Sequence, residues 1–159
     1  MDQSCDVIVI GGGSAAFEAA ISARNAGAGR VIMLEKAPEA EYGGNARYSG
    51  TGFRFVHGGV EEMREMVPDI DEDYSRSLAI APYTREDFLA DLHRMTQGRM
   101  DQTLAETLVD GSNAAVRWMK DMGIKWEFLK EHAMVDGKRY FERGIAIHVA
   151  GGGLGQLTQ

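Results

Sequence analysis

The strongest constraint on this chain is an apolar run that stops on glycines. Val7-Ile8-Val9-Ile10 is unbroken, and Gly11-Gly12-Gly13 ends it. A run of this kind reads as a central parallel strand buried on both faces. From Ser14 to Ala26 small residues recur at Ala16, Ala19, Ala20 and Ala23. That spacing predicts a helix slim enough to lie close on a sheet. Gly27 follows as a left-handed cap. Val31-Ile32-Met33-Leu34 then supplies a second strand, with Glu35 at its carboxyl end.

Between strand and helix, Gly11-Gly12-Gly13-Ser14-Ala15-Ala16 has the pattern G-x-G-x-x-A. Gly11 permits the tight turn, Gly13 lets a pyrophosphate touch the backbone, and Ala16 is small enough for close helix–strand contact. Ser14 and Ala15 open the helix, whose N-terminal amides and positive dipole end suit a diphosphate. Glu35 lies 24 residues beyond Gly11 (35 − 11), near the spacing of about 20 for an acid that accepts from ribose hydroxyls. An acid there repels a 2′-phosphate and disfavours NADP. The expected fold class is α/β and Rossmann-like, a parallel sheet with crossover helices, here incomplete and carrying a mostly helical insertion.

Composition narrows the partners. A net charge of −7 argues against nonspecific binding to nucleic acid or to an anionic membrane surface. The single cysteine, Cys5, excludes an internal disulfide framework and fits a reducing compartment. It stands before the apolar strand and reads as a small buried residue. The run ending at Ile10 is too short for a signal core or a membrane span. A soluble, cytoplasmic protein is expected. The 20 glycines, against an average near 7%, cluster at 11–13, 43–44, 50–52 and 151–155, where backbone can approach a ligand closely.

The G-x-G-x-x-A motif does not by itself separate FAD from NAD. After Glu35-Lys36-Ala37-Pro38 the chain enters a long glycine-rich loop, Gly43-Gly44-Asn45-Ala46-Arg47-Tyr48-Ser49-Gly50-Thr51-Gly52. A plain NAD fold usually turns soon into another crossover helix. Successive amides in such a loop can form a nest for phosphate or flavin carbonyls. A mobile surface loop is the alternative.

The stretch LEKAP…GGNARYSGTG resembles the loop after the second strand in the fumarate reductase and succinate dehydrogenase flavoprotein family. GGNxxxSGTGFRFVHGG looks most like the branch containing tricarballylate dehydrogenase. The resemblance implies noncovalent FAD. It places Gly11, Gly13, Ser14, Ala15 and Ala16 against the diphosphate, Glu35 against the adenosine ribose and Lys36 near the adenosine part. It places Gly43, Gly44, Asn45, Ser49, Gly50, Thr51 and Gly52 along the pyrophosphate and flavin edge. Ala46 departs from relatives with Ser or Thr there, which removes one hydroxyl contact. Where the family attaches its flavin covalently it uses a histidine soon after the second strand, and none lies between Leu34 and Val56.

Arg54 and His57 follow directly. A guanidinium suits carboxylates by its bidentate geometry, so the two are candidates for facing a carboxylate substrate; a surface arginine and an ordinary histidine are the alternative. Farther on, Thr84 is an expected N-cap, with Phe88, Leu89, Leu92 and Met95 as an apolar stripe ending at Gly98. Asp101 opens a second helix, for which Leu104, Leu108, Ala115, Trp118, Met119 and Met122 are the expected inward positions and Gly123 the stop. Asp69 to Asp73 is acidic but lacks the ligand spacing of a calcium loop and reads as a solvated turn. Lys125 to Leu129 reads as a strand, and Arg139 to Val149 as an irregular extended segment. No Cys/His cluster has metal-ligand spacing, so no metal is expected. Glycines 151–153, leading toward Leu154 and Leu157, look like another loop-to-helix turn.

The expected organisation is a βαβ unit with its flavin loop over 1–59, a helical segment over 60–123, and return strands with a glycine-rich turn over 124–159. In the resembled family the capping substrate domain and the catalytic arginine come later in the chain. The expectation is therefore the N-terminal FAD-binding portion of a longer oxidoreductase acting on a small carboxylate by hydride transfer, with catalytic residues elsewhere and exposed edges that favour self-association. An NAD-binding dehydrogenase module and a fragment that binds no cofactor are the competing expectations.

Overall fold

The computed structural model describes residues 4–158, with the side chains of Leu154 and Gln156 outside the description. Its elements in chain order are β1 (Val7–Ile10), α1 (Ser14–Asn25), β2 (Val31–Leu34), α2 (Gly44–Arg47), α3 (Val60–Met66), α4 (Glu72–Ser77), β3 (Leu78–Ala79), α5 (Arg85–Thr96), α6 (Gln102–Asp121), β4 (Trp126–Phe128), β5 (Ala133–Val135), β6 (Lys138–Tyr140), β7 (Ile147–Val149) and α7 (Gly152–Thr158). They fall into two compact units, one of residues up to Thr51 together with those from Gly151, the other Gly52–Ala150.

In the first unit β1 and β2 pair in parallel, Val7 with Val31 through Ile10 with Leu34. The α1 helix packs on this pair and closes as its sequence dictates, with Gly27 in the left-handed region at φ 99°. One expectation fails here. Burial alternates along β1, and Ile8 and Ile10 are 56% and 87% exposed. Parallel register puts Leu34, 51% exposed, on the same face as Ile10. The strand is covered on one face only, by α1. Cys5 precedes the strand and is half-buried instead of buried.

The second unit has a core of Phe55, Met63, Met66, Val116, Met119, Trp126, Phe128, Ile147 and Val149. A smaller cluster gathers Tyr83, Phe88 and Val109. Strands β4 and β7 pair antiparallel, while β6 pairs in parallel with β3 and antiparallel with β5. The molecule is thus α/β with mixed sheets.

Its helix starts follow the sequence. Thr84 accepts from the Asp87 amide while Asp87 accepts from the Thr84 amide, a capping box, and Asp101 caps α6 by accepting from Leu104. Asp71 caps α4 in the acidic turn. The C-terminus of α5 differs by one residue, since Gln97 itself takes the left-handed position before Gly98. Met95, expected in the stripe, is 71% exposed.

The larger correction is on α6. Its buried positions are Ala105, Val109, Ser112, Val116 and Met119, whereas Leu104, Leu108 and Met122 are exposed and Ala115 faces outward. Trp118 and Met119 do face the core as expected, so the facing is displaced at Leu104, Leu108, Ala115 and Met122 and holds at those two. Ser112 explains the choice: its hydroxyl accepts from the Val56 amide at 3.0 Å and donates to the Val109 carbonyl at 2.8 Å. Among the described residues no helix is long and apolar enough to cross a membrane.

Candidate functional site

The glycine loop between β1 and α1 is built around one acid. The Gly11 amide donates to the Leu34 carbonyl at 2.7 Å, which ties the loop to the end of β2. Gly11 has φ 125°, a conformation open only to glycine. A Cβ on Gly12 would lie 2.7 Å from Oε2 of Glu35, so the Glu35 side chain lies directly over the loop. Its other oxygen accepts from the Ala37 amide at 2.7 Å, leaving the carboxylate anchored and exposed. Lys36 beside it is exposed.

Gly13 is the N-cap of α1 and carries no side-chain cap. The first acceptor contacts within the helix are Ala16 and Phe17 amides to the Gly13 carbonyl. No acid stands in the first turn. A helix start built on glycine, serine and two alanines leaves its leading amides to an external acceptor, the arrangement a diphosphate requires. Ala16 comes close to Gly11, at 3.8 Å from where a Cβ on it would stand.

The second glycine stretch lies against the first. A Cβ on Gly13 would be 3.4 Å from the Gly43 carbonyl oxygen. Gly43 and Gly44 both have positive φ, 111° and 55°, and launch the short α2, on which Asn45 is exposed. Beyond it Ser49 Oγ accepts from the Thr51 amide at 2.9 Å. Thr51 is buried with φ 53°, a strained position for a β-branched residue. Ser49 and Gly50 are exposed.

A third glycine stretch completes this unit. The Gly153 amide donates to the Ser49 carbonyl at 3.0 Å, and a Cβ on Gly153 would overlap the Ala46 carbonyl oxygen. Leu157 fills the space where a Gly43 side chain would be. The structure thus joins residues 11, 13–16, 35 and 43–51 in one unit and adds Gly12 and 151–153. Gly12 fills a variable position of the fingerprint; its only sequence signal is its place within the glycine run.

Gly52, Arg54 and His57 belong to the second unit. Gly52 bridges His148 on β7. Arg54 is enmeshed: Nη1 donates to the Arg143 carbonyl at 2.6 Å and lies 3.4 Å from Asp91 and 3.5 Å from the Tyr83 hydroxyl, while Nη2 donates to Glu142 at 2.9 Å. Burial alone would weaken the guanidinium charge, but Tyr83 and Glu142 outweigh it and hold the group more firmly protonated. Tyr83, Asp91, Glu142 and Arg143 carry no local sequence signal, because they meet Arg54 only through the fold.

His57 is buried, and its Nδ1 accepts from the Gly59 amide at 3.2 Å. Burial pushes its pKa below the usual 6.5, against the opposing charge of Glu62. Glu62 itself gathers the Gly58 amide, Asn113 and Arg117. Burial would raise its pKa, but those three donors win and hold it low. This unit also has an open cleft of about 650 Å³ between α3, α4 and β4, and none of the residues nominated above lines it. Among the described residues no group of three His, Cys, Asp or Glu could hold a metal ion.

These glycine loops and this helix start are features that suit a phosphate-bearing ligand. The chain belongs to the FAD binding domain family, whose model matches residues 6–159. It is 32% identical over 121 residues to the fumarate reductase (cytochrome) of Shewanella frigidimarina, covering 76% of this chain and 18% of that protein. A probable fumarate reductase of the same organism is 30% identical over 128 residues, covering 80% and 19%. The open conformation of a flavocytochrome c3 fumarate reductase superposes with a TM-score of 0.64 at 26% identity, over 98% of this chain and 24% of that one. The chain spans about a fifth of the length of the curated relatives it matches. It is an FAD-binding domain of the fumarate reductase type, and its cofactor is FAD.

Proposed function

We propose that this domain holds noncovalent FAD for an oxidoreductase that acts on a small carboxylate, on a β1–α1–β2 unit of Rossmann-like construction. The observation that carries this reading is Glu35 folded over Gly12 beside an uncapped α1. In it Gly11, Gly13, Ser14, Ala15 and Ala16 bind the diphosphate, Glu35 accepts from the ribose hydroxyls, and Lys36 flanks the adenosine. Gly43, Gly44, Asn45, Ser49, Gly50, Thr51 and Gly52 serve the pyrophosphate and the flavin edge. When bound, FAD supplies hydride transfer at its N5; the protein supplies placement and electrostatics. Arg54 is the carboxylate-binding group of this reading and His57 a buried neighbour along the same segment.

Tricarballylate dehydrogenase is the branch whose GGNxxxSGTGFRFVHGG pattern this sequence resembles, and a compact polycarboxylate is accordingly the substrate class. The open face of β1 and β2 supports association, either of two copies or with further polypeptide. One cysteine in the chain supports a cytoplasmic location. Absorbance of the purified protein, before and after adding FAD or NAD, tests the cofactor assignment. Uptake of FAD with no uptake of NAD is expected, and acid precipitation should release the flavin into the supernatant. Preferential NAD binding, or protein that stays colourless with added FAD, overturns it.

A further inference from the structure

We propose that Glu142 is an internal carboxylate that occupies the outward edge of Arg54 and yields it to a carboxylate ligand; this rests on the reading of Arg54 as a carboxylate site. The two ends of the guanidinium are held differently. Nη1 points to the Arg143 carbonyl, to Asp91 and to the hydroxyl of Tyr83. Tyr83 is fully buried and donates to Asp91 at 2.8 Å, and the Asp91 side chain is 19% exposed. These partners fix the plane of Arg54 from inside. Nη2 meets Glu142 at 2.9 Å, and the Glu142 side chain is 75% exposed.

An ion pair with so exposed a partner contributes little to stability, so an incoming carboxylate displaces Glu142 without dismantling the inner contacts. A guanidinium already oriented loses less freedom on binding a carboxylate. Glu142 nonetheless stays within reach of Arg54 as a weak competitor, because its backbone is held in place. Gly144 has φ 77°, and a Cβ there would stand 2.7 Å from the Tyr83 ring, so the 142–144 segment is pressed onto that ring. Arg143 lies over the same ring at 5.7 Å, as Arg54 does, and pairs with Asp87. Two guanidiniums on one aromatic ring favour an anion there whenever Glu142 withdraws.

Succinate titrations by calorimetry at constant low ionic strength test this, using the parent, Glu142→Gln, Arg54→Gln and the double variant. Glu142→Gln should bind succinate about two- to five-fold more tightly, the range set by an exposed ion pair. Arg54→Gln should remove binding in both backgrounds. Unchanged or weaker binding by Glu142→Gln overturns the proposal. So does binding by Arg54→Gln equal to the parent, or no binding by either parent or Glu142→Gln. Urea midpoints report whether each variant is folded. FAD uptake by the same samples separates the two readings: lost FAD binding with the succinate pattern intact counts against the cofactor assignment alone.

Discussion

Gly144 and Gly13 are both glycines, but the fold needs only one of them. A Cβ at Gly144 would press to 2.7 Å from the Tyr83 ring at a φ of 77°, so Gly144→Ala combines left-handed strain with overpacking. A loss of about 2–4 kcal/mol is expected, read from the urea midpoint. At Gly13 the backbone is extended, φ −88° and ψ −179°, and a Cβ would make ordinary contact at 3.4 Å. Gly13→Ala should leave stability unchanged or raise it by up to about 1 kcal/mol while weakening FAD binding. A variant that loses stability instead would show that Gly13 serves packing and not a ligand.

His57 gives a pH prediction at the same scale. Its folded pKa lies below 6.5, so the unfolded chain binds the proton more readily. The contribution of His57 to stability is complete above about pH 6.5 and declines as pH falls toward its folded value. Imidazole resonances should show His57 titrating at lower pH than a free histidine, and His57→Gln should flatten stability in that window. A His57 that titrates at or above 6.5 contradicts the burial argument.

At the scale of elements, capping was legible and facing only in part: Phe88, Leu89 and Leu92 of α5 turn inward as their spacing predicts, while the start of α6 does not. Thr84 and Asp87 carry their capping box in four adjacent residues, and Thr84→Ala should cost about 1 kcal/mol. Helix α6 has two neighbouring apolar stripes, one through Leu104 and Leu108, the other through Ala105, Val109 and Val116. Size favoured the leucines, but in the first half of the helix the core took Ala105 and Val109, on the side where Ser112 and Asn113 grip the Val56 amide and carbonyl. Those bonds span more than fifty residues, and helical periodicity contains no trace of them. Gly111 sits within this helix with open space where a Cβ would go. Gly111→Ala should stabilise by up to about 1 kcal/mol, measured by thermal melting.

At the scale of the whole molecule, the same distinction separates the two candidate regions. The β1–α1–β2 unit with its glycine turn was legible because strand, glycines, helix and acid follow one another within 30 residues (7 to 35), and local order dictated the parallel pairing. The return of Gly153 to Ser49 joins distant parts of the chain, and only the glycine run hinted at it. Around Arg54 the partners lie 29 to 89 residues away, so the sequence could nominate the arginine and not its cluster. The strand expected to be buried on both faces instead shows Ile8 and Ile10 to solvent, because burial there depends on what covers the second face and not on the apolar run itself.

The central claim is that the β1–α1 glycine loop receives the FAD diphosphate on its backbone. Titration of FAD into the parent and into Gly13→Val, followed by flavin fluorescence with thermal melting as the control for folding, tests it most directly. The parent should bind saturably while a folded Gly13→Val shows no uptake, because the branched side chain stands where the phosphate meets the backbone. A folded Gly13→Val that binds FAD as well as the parent would contradict the account.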